Sequence, residues 1–262
     1  MSWFRKDILG VDFGTRTLKG VKLRQDKTGR VVLARHFFQD LALTSESFPN
    51  HPNREEALKA AIEVQRLSNS IAAGAVRDSD VISFSLELPR MSDKELQKAV
   101  PLEVAEMSGI PVDDHSIDFL LGKAPANNPE VLAVKAYCVR KDLVLEQMKK
   151  MKEAGLKPAA IESEMMAIAA MLEFNHYLDP REVVMVLDLG EGHVTSALIA
   201  DGSLAYTRDH GTSFGRINES LRATQGIGYS EAENAKNSYD FLSTPEETPV
   251  NRAMDEAFTE IF

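Results

Sequence analysis

Short runs in which apolar and polar residues alternate open the chain, and longer stretches with apolar residues every three or four positions follow them. Alternation marks half-buried strands, and the wider spacing marks amphipathic helices. Ile8–Asp12 is an apolar run ending at Phe13-Gly14-Thr15, Leu18–Arg24 alternates, and Lys27-Thr28-Gly29-Arg30 is a turn before Val31–Phe38. Three strands are therefore expected at the start. A loop rich in Ser, Asn and Pro runs from Thr44 to Pro52, and Asn53 with Glu56 has the pattern of a capping box. The helix it opens carries Leu58, Ala61, Ile62, Leu67 and Ile71 at roughly helical spacing.

The segment from Val81 to Pro158 has its own rhythm. Val81–Leu88 reads as a strand, followed by a helix capped by Ser92 with Glu95 as its box partner and running towards Met107. Pro101 inside that pattern predicts a kink or an early end. Strands Ser116–Leu121 and Val131–Val139 flank an Asn127-Asn128-Pro129 loop. A helix over Lys141–Ala154 closes the segment, with Gly155 at its cap and Pro158 beyond. The whole is a β-α-β-β-α insert. The chain resumes with a strand near Ala159–Glu162, an apolar helix over Met165–Phe174, and a strand over Val183–Leu189 that runs into Gly190-Glu191-Gly192. Val194–Ala200 and Leu204–Arg208 flank Asp201-Gly202, a hairpin signal. Helices follow over Phe214–Thr224, after a Ser230 cap with Glu233 as box partner, and over Val250–Phe262.

Composition narrows the class. With 262 residues, 44% hydrophobic and 27% charged, the chain can bury a core and is too apolar for disorder. Its net charge of −10 argues against nucleic acid as a partner, which calls for a clustered basic face. The single cysteine, Cys138, excludes a disulfide framework and fits a buried, inert position in an apolar strand. No apolar run approaches the ~18 residues of a membrane span, and no signal peptide opens the chain, so a cytoplasmic protein without its own transmembrane segment is expected. The histidines lack metal-pairing spacing. Met148, Met151, Met165, Met166 and Met171 recur on helices, as core packing or as a peptide-facing groove.

One device occurs twice. Ile8–Gly14 and Met185–Gly190 are both apolar strands delivering Asp-x-Gly into a turn before a second strand, offset by 188 − 12 = 176 residues. That offset is too long for a solenoid repeat and suggests two large halves. The glycine lets backbone approach a ligand, and successive turn N–H groups make an anion-binding nest. The aspartate offers a carboxylate for a magnesium ion, directly or through water. Two such turns facing each other would clamp a polyphosphate, with Lys19 adding a positive charge. Equally, Asp and Gly are common at strand ends simply because they suit turns.

Ile8–Arg24 (ILGVDFGTRTLKGVKLR) and Val186–Ile199 (VLDLGEGHVTSALI) resemble the two phosphate loops of the actin/Hsp70/hexokinase superfamily. Pro89–Asp93, Gly155-Leu156-Lys157-Pro158, Glu162 with Glu164, Tyr206-Thr207-Arg208 and Tyr229–Lys236 are similar, in type and order, to the PilM family of type IV pilus assembly proteins, relatives of FtsA. The resemblance implies an α/β, actin-like (ribonuclease H-like) two-half fold. Residues 1–80 would form subdomain 1A, 81–158 an FtsA/PilM-type subdomain 1C and 159–182 the return to 1A. Residues 183–262 would form a second half that is partial at its C-terminal end, because family members continue into a Gly-rich adenosine loop.

By position, the resemblance gives Asp12, Gly14, Thr15 and Lys19 to the phosphates from the first half. Asp188, Gly190, Glu191, Gly192 and Thr195 would serve from the second, with Asp12 and Asp188 as water-mediated magnesium neighbours. Glu233 and Lys236 match the helix that contacts the nucleoside, although Glu233 also explains itself as a capping partner of Ser230. Glu162 and Glu164 lie where the superfamily places the carboxylate that orients an attacking water, or are acids at a helix start. Phe214 stands where family members carry glycine, which would alter the nucleotide pocket.

The function implied is an ATP-binding adaptor, with at most slow hydrolysis, on the cytoplasmic face of the inner membrane. It would bind the cytoplasmic N-terminal tail of PilN beside subdomain 1C, contact other pilus platform and motor components, and be open to self-association. A nucleotide-free scaffold like the cytoplasmic domain of GspL, or more remotely a sugar kinase, are the alternatives. A protein kinase is excluded: the lysine of Ala133-Val134-Lys135 follows Asp12-Phe13-Gly14 instead of preceding it.

Overall fold

The computed structural model describes residues 7–40, 54–122, 128, 130–179, 181–239 and 248–261. The expected Thr44–Pro52 loop, the Asn53 cap, and most of the Asn127-Asn128-Pro129 loop lie outside these residues. The chain divides into two compact units. One comprises Met1–Asp12, Lys19–Phe37 and Pro49–Ala167, and the other Phe13–Leu18, Phe38–Phe48 and Ile168–Phe262.

Strands β1 (Ile8–Phe13), β2 (Thr17–Gln25) and β3 (Val31–Asp40) form where the alternation predicts them. They belong to a five-stranded sheet ordered β3-β2-β1-β4-β8. The turn before β3 is fixed by Asp26, whose Oδ1 accepts from the amides of Thr28 (2.8 Å) and Arg30 (3.0 Å).

Helix α1 (Arg54–Val64) is shorter than its sequence pattern suggests, and Ile71 belongs instead to strand β4 (Ile71–Val76). β4 pairs in parallel with both β1 and β8 (Lys157–Ser163), so it runs through the sheet interior. Its sequence, IAAGAV, is small because a helix lies directly on it. An ideal Cβ on Gly74 would sit 3.0 Å from Sδ of the fully buried Met151, and Gln147 Nε2 donates to the Ala75 carbonyl at 2.9 Å. Alanine and glycine carry little strand propensity, which hid this strand.

The β-α-β-β-α segment is present as β5 (Val81–Pro89), α2 (Asp93–Ser108), β6 (His115–Leu121), β7 (Val131–Arg140) and α3 (Lys141–Glu153). β7 is the middle strand of an antiparallel three-stranded sheet, β5-β7-β6. α2 lays Leu96, Val100 and Val104 on Leu86, Leu88, Val134 and Ala136 to make a separate core. The Ser92–Glu95 capping box forms, with Glu95 Oε2 accepting from the Ser92 amide at 2.8 Å. Pro101 does not end the helix, which continues to Ser108 and is closed by Gly109 at φ 70°. The packing of Val100 and Val104 on either side of the proline outweighs the one backbone hydrogen bond it removes.

α3 carries the buried Met151, and Gly155, past its end, takes φ 85° as a helix-terminating glycine should. Cys138 is buried in β7, and burial pushes its thiol pKa up, so it stays an inert thiol.

Helix α4 (Glu164–Phe174) follows β8 directly. Its first turn is capped from a distance. Asp78, buried in the turn between β4 and β5, accepts from the Met165 amide at 2.8 Å, and Ser163 Oγ accepts from the Met166 amide at 3.2 Å.

In the second unit, β9 (Val184–Leu189), β10 (Val194–Ala200) and β11 (Ser203–Asp209) form an antiparallel sheet with β10 in the middle. Asp201 and Gly202 both take positive φ, 53° and 74°, as the hairpin signal requires. α5 (Gly215–Gln225), α6 (Tyr229–Ser238) and α7 (Pro249–Ile261) pack around Ile217, Leu221, Ala232, Ala253 and Met254, with Val194 of β10 in the same cluster. No helix among the described residues is long and apolar enough to cross a membrane.

Candidate functional site

The two Asp-x-Gly turns are the same object in space. After β1, an ideal Cβ on Gly14 would lie 2.8 Å from the carbonyl oxygen of Thr17. After β9, an ideal Cβ on Gly190 would lie 2.6 Å from the carbonyl oxygen of His193. In both copies the glycine is pressed against the carbonyl three residues on, which leaves no room for a side chain. The two turns thus share one steric requirement.

Asp12 and Lys19 form an ion pair across the first turn, Nζ to Oδ2 at 3.1 Å, with both side chains half exposed. Thr15 sits at the tip, and in the second unit an ideal Cβ on Gly192 would fall 1.9 Å from Thr15 Oγ1. Gly192 therefore accommodates Thr15. Asp188 lies opposite the fully buried Thr195 in the β9–β10 ladder. Gly215 opens α5 directly against the second turn, since its ideal Cβ would lie 2.6 Å from the Glu191 carbonyl.

The remaining expected residues of the second unit meet in one ionic cluster. Lys236 is buried, with Nζ 2.8 Å from Glu233 Oε2 and 3.2 Å from Glu191 Oε2. Its ammonium also lies 5.2 Å from the centre of the Phe214 ring, so Phe214 supports Lys236 and packs into the core beside α5. Tyr229 donates to Glu191 Oε1 at 2.5 Å, and Asn218 Nδ2 donates to Glu233 Oε2 at 2.6 Å.

Glu233 is no partner of a Ser230 cap. α6 begins at Tyr229 with Gly228 as its N-cap, which places Ser230 inside the first turn. The glutamate reaches Arg16 instead, whose Nη1 is 2.5 Å from Glu233 Oε2, while Arg16 Nη2 holds Asp40 at 2.9 Å. Burial alone would lower the Arg16 pKa; the hydrogen bond to Asp40 and the charges around it raise it above its ordinary value. Burial likewise pulls Glu233 upward and is outweighed by hydrogen bonds from Lys236 and Asn218, leaving its pKa below the usual carboxylate range. Burial and the bond to Glu191 push Tyr229 well above an ordinary tyrosine.

Arg16, Asp40 and Asn218 are members of this cluster that the sequence did not single out. Arg16 is one cation in a polar turn and Asp40 one acid at a strand end, so neither carries a periodic or spacing signal. Tyr229 stood in a quoted motif with no role attached.

Glu162 and Glu164 flank the β8–α4 junction in the first unit. Burial around the Glu162 carboxyl raises its pKa; the Ser163 amide partly offsets this, and the negative charge of Asp118 adds to it. Tyr137 of β7 is raised by burial and by Glu162 in turn. Among the described residues no group of three or more His, Cys, Asp or Glu could hold a metal ion.

Solved structures carry the same fold. The PilM–PilN type IV pilus biogenesis complex is 20% identical, with a TM-score of 0.74, and the match covers 98% of this chain and 74% of that one. MreB5 of Spiroplasma citri bound to AMPPNP matches with a TM-score of 0.51 at 12% identity over 98% of this chain and 76% of that one. The cytoplasmic domain of EpsL, from the type II secretion system of Vibrio cholerae, is 12% identical over 97% and 94% of the two chains. Its TM-score of 0.48 is too low to choose a function. The fold is thus actin-like, and the family model of the type IV pilus assembly protein PilM matches residues 10–250. By that match, the chain belongs to the PilM family of type IV pilus assembly proteins.

Proposed function

We propose that this chain is a cytoplasmic adaptor of a type IV pilus assembly machine that binds Mg-ATP and the tail of an inner-membrane partner of the PilN type. The observation that carries the nucleotide part is the pair of turns in which Gly14 and Gly190 are each pressed on the carbonyl three residues later. Backbone amides in such turns suit phosphate oxygens, and the neighbouring Asp12 and Asp188 suit a hydrated magnesium ion. Thr15, Lys19, Gly192 and Thr195 complete the phosphate set. Glu191 would serve the phosphates from the second turn, and Glu233 and Lys236 would meet the nucleoside side. Glu162 and Glu164 are the carboxylates available to orient water if ATP is hydrolysed.

Support for the partner comes from the family match and from the likeness to the PilM–PilN complex. Recruitment through a protein tail agrees with a net charge of −10, which would be repelled by an anionic membrane surface. The test is calorimetric titration of Mg-ATP into the chain and into Asp12→Ala, with a PilN tail peptide titrated in parallel. Saturable ATP binding that Asp12→Ala abolishes is the expected result. Equal heats from both proteins would remove the phosphate role of the first turn.

One observation favours a second reading, the nucleotide-free scaffold. Glu191, Glu233 and Lys236 already satisfy one another and Arg16 without any ligand. Peptide binding with no ATP binding would decide for it.

A further inference from the structure

Resting on the nucleotide reading above, we infer that Arg16 is an internal latch on helix α6, and that a nucleoside reaches Glu233 and Lys236 only after Arg16 lets go. The guanidinium spans two anchors. Its Nε and Nη2 hold Asp40 at the end of β3, at 3.2 and 2.9 Å. Its Nη1 holds α6 through Glu233 at 2.5 Å and the Tyr229 hydroxyl at 3.3 Å, and the Tyr229 ring lies 5.3 Å from the guanidinium carbon. A planar fork suits this double grip in a way that a lysine ammonium does not.

The cluster sets three carboxylates against two cations: Asp40 and Glu233 take Arg16, while Glu233 and Glu191 share Lys236. A ligand that needs Lys236 must therefore compete with two carboxylates, and one that needs Glu233 must compete with two cations.

Two features show why the hold on α6 matters. The helix is ten residues long and its N-cap is Gly228, which has no side chain with which to cap it. Apart from Ala232 in the core, its buried contacts include Lys236 and the ionic cluster. The closed arrangement also leaves a debt: Asn218, fully buried beside Glu233, has its Oδ1 without a hydrogen-bond partner among the described residues. An opening that admits water or a ligand donor would satisfy that acceptor, which lowers the cost of release.

The test compares the chain with Arg16→Gln and with Asp40→Asn, which loosens the far anchor without touching α6. Amide exchange and Mg-ATP affinity are measured on all three, and exchange in α5, in the same unit as α6, serves as the control for unfolding of that unit. Faster exchange confined to α6, with Mg-ATP bound about tenfold more tightly, is expected, because removing a closed state raises the competent fraction. Unchanged exchange in α6 overturns the latch. Faster exchange with ATP affinity unchanged or weaker overturns the gate, since Arg16 then does not exclude the ligand. If α6 exchanges faster but none of the proteins binds ATP, the latch stands and the nucleotide reading falls.

Discussion

Two carboxylates in this molecule titrate in opposite senses, and the difference is one of neighbours. Glu162 is raised by burial with a second acid, Asp118, nearby, whereas Glu233 is lowered because Lys236, Asn218 and Arg16 more than offset its burial. A carboxylate raised in the folded state contributes stability at pH below its unfolded value and loses it as pH rises through the folded one. Glu162→Gln should therefore raise the melting temperature at pH 8 and leave it nearly unchanged at pH 4; an equal shift at both would show that the effect is not ionisation. Glu233 has the reverse sign. Its contribution is present above the unfolded carboxylate value and is lost as pH falls through the lower folded one. Amide protection across α6, relative to the intrinsic exchange rate at each pH, should accordingly fall on acidification before that of α2, and uniform acid unfolding would contradict this. Gly192 is a matter of space instead of charge. Gly192→Ala should cost about 1–3 kcal/mol, as overpacking does, measured by denaturant unfolding. Thr15→Ala should recover part of that cost, because it removes the oxygen 1.9 Å from the new methyl position.

At the scale of elements, caps written in the local sequence behaved differently from caps supplied across the fold. Ser92 and Glu95 stand three apart at the start of a helix and close their box as the pattern implies. Ser92→Ala should lower stability by about 1 kcal/mol, read from the unfolding midpoint. The cap on α4 comes from Asp78, 87 residues away in sequence, and no local pattern could announce it. Asp78→Ala leaves a buried amide unsatisfied and should cost about 1–3 kcal/mol, with exchange faster at the Met165 amide; exchange unchanged there would deny the cap. Ser230 and Glu233 show the converse. Their spacing fits a capping box, yet the helix starts at Tyr229 and the glutamate serves Arg16. A spacing rule describes what a side chain can reach locally, and a half-buried cation that comes from elsewhere in the fold overrides it.

For the molecule as a whole, the sheet of β9–β11 bears a cross-strand row of Met185, Leu198 and Tyr206, exposed by 69, 38 and 56%. Contiguous apolar surface of this kind promotes association. Met185→Lys should leave the melting temperature almost unchanged and reduce concentration-dependent light scattering; no change in scattering would clear this row of the effect. The sequence by itself determined most of the elements, the insert and the twin turns, because each depends on short-range rules. Alternation sets strands, three-to-four spacing sets helices, and Asp-Gly sets the hairpin at 201–202. Tertiary structure alone decided that Ile71–Val76 is an interior strand, since its small residues answer to Met151 of α3 and Gln147 beside it, not to their own propensity. It alone also brought Arg16 to Asp40 and Glu233, 24 and 217 positions away by number. Burial and charge compensation act between residues that meet only once the chain has folded, and so these pairings leave no mark in local sequence.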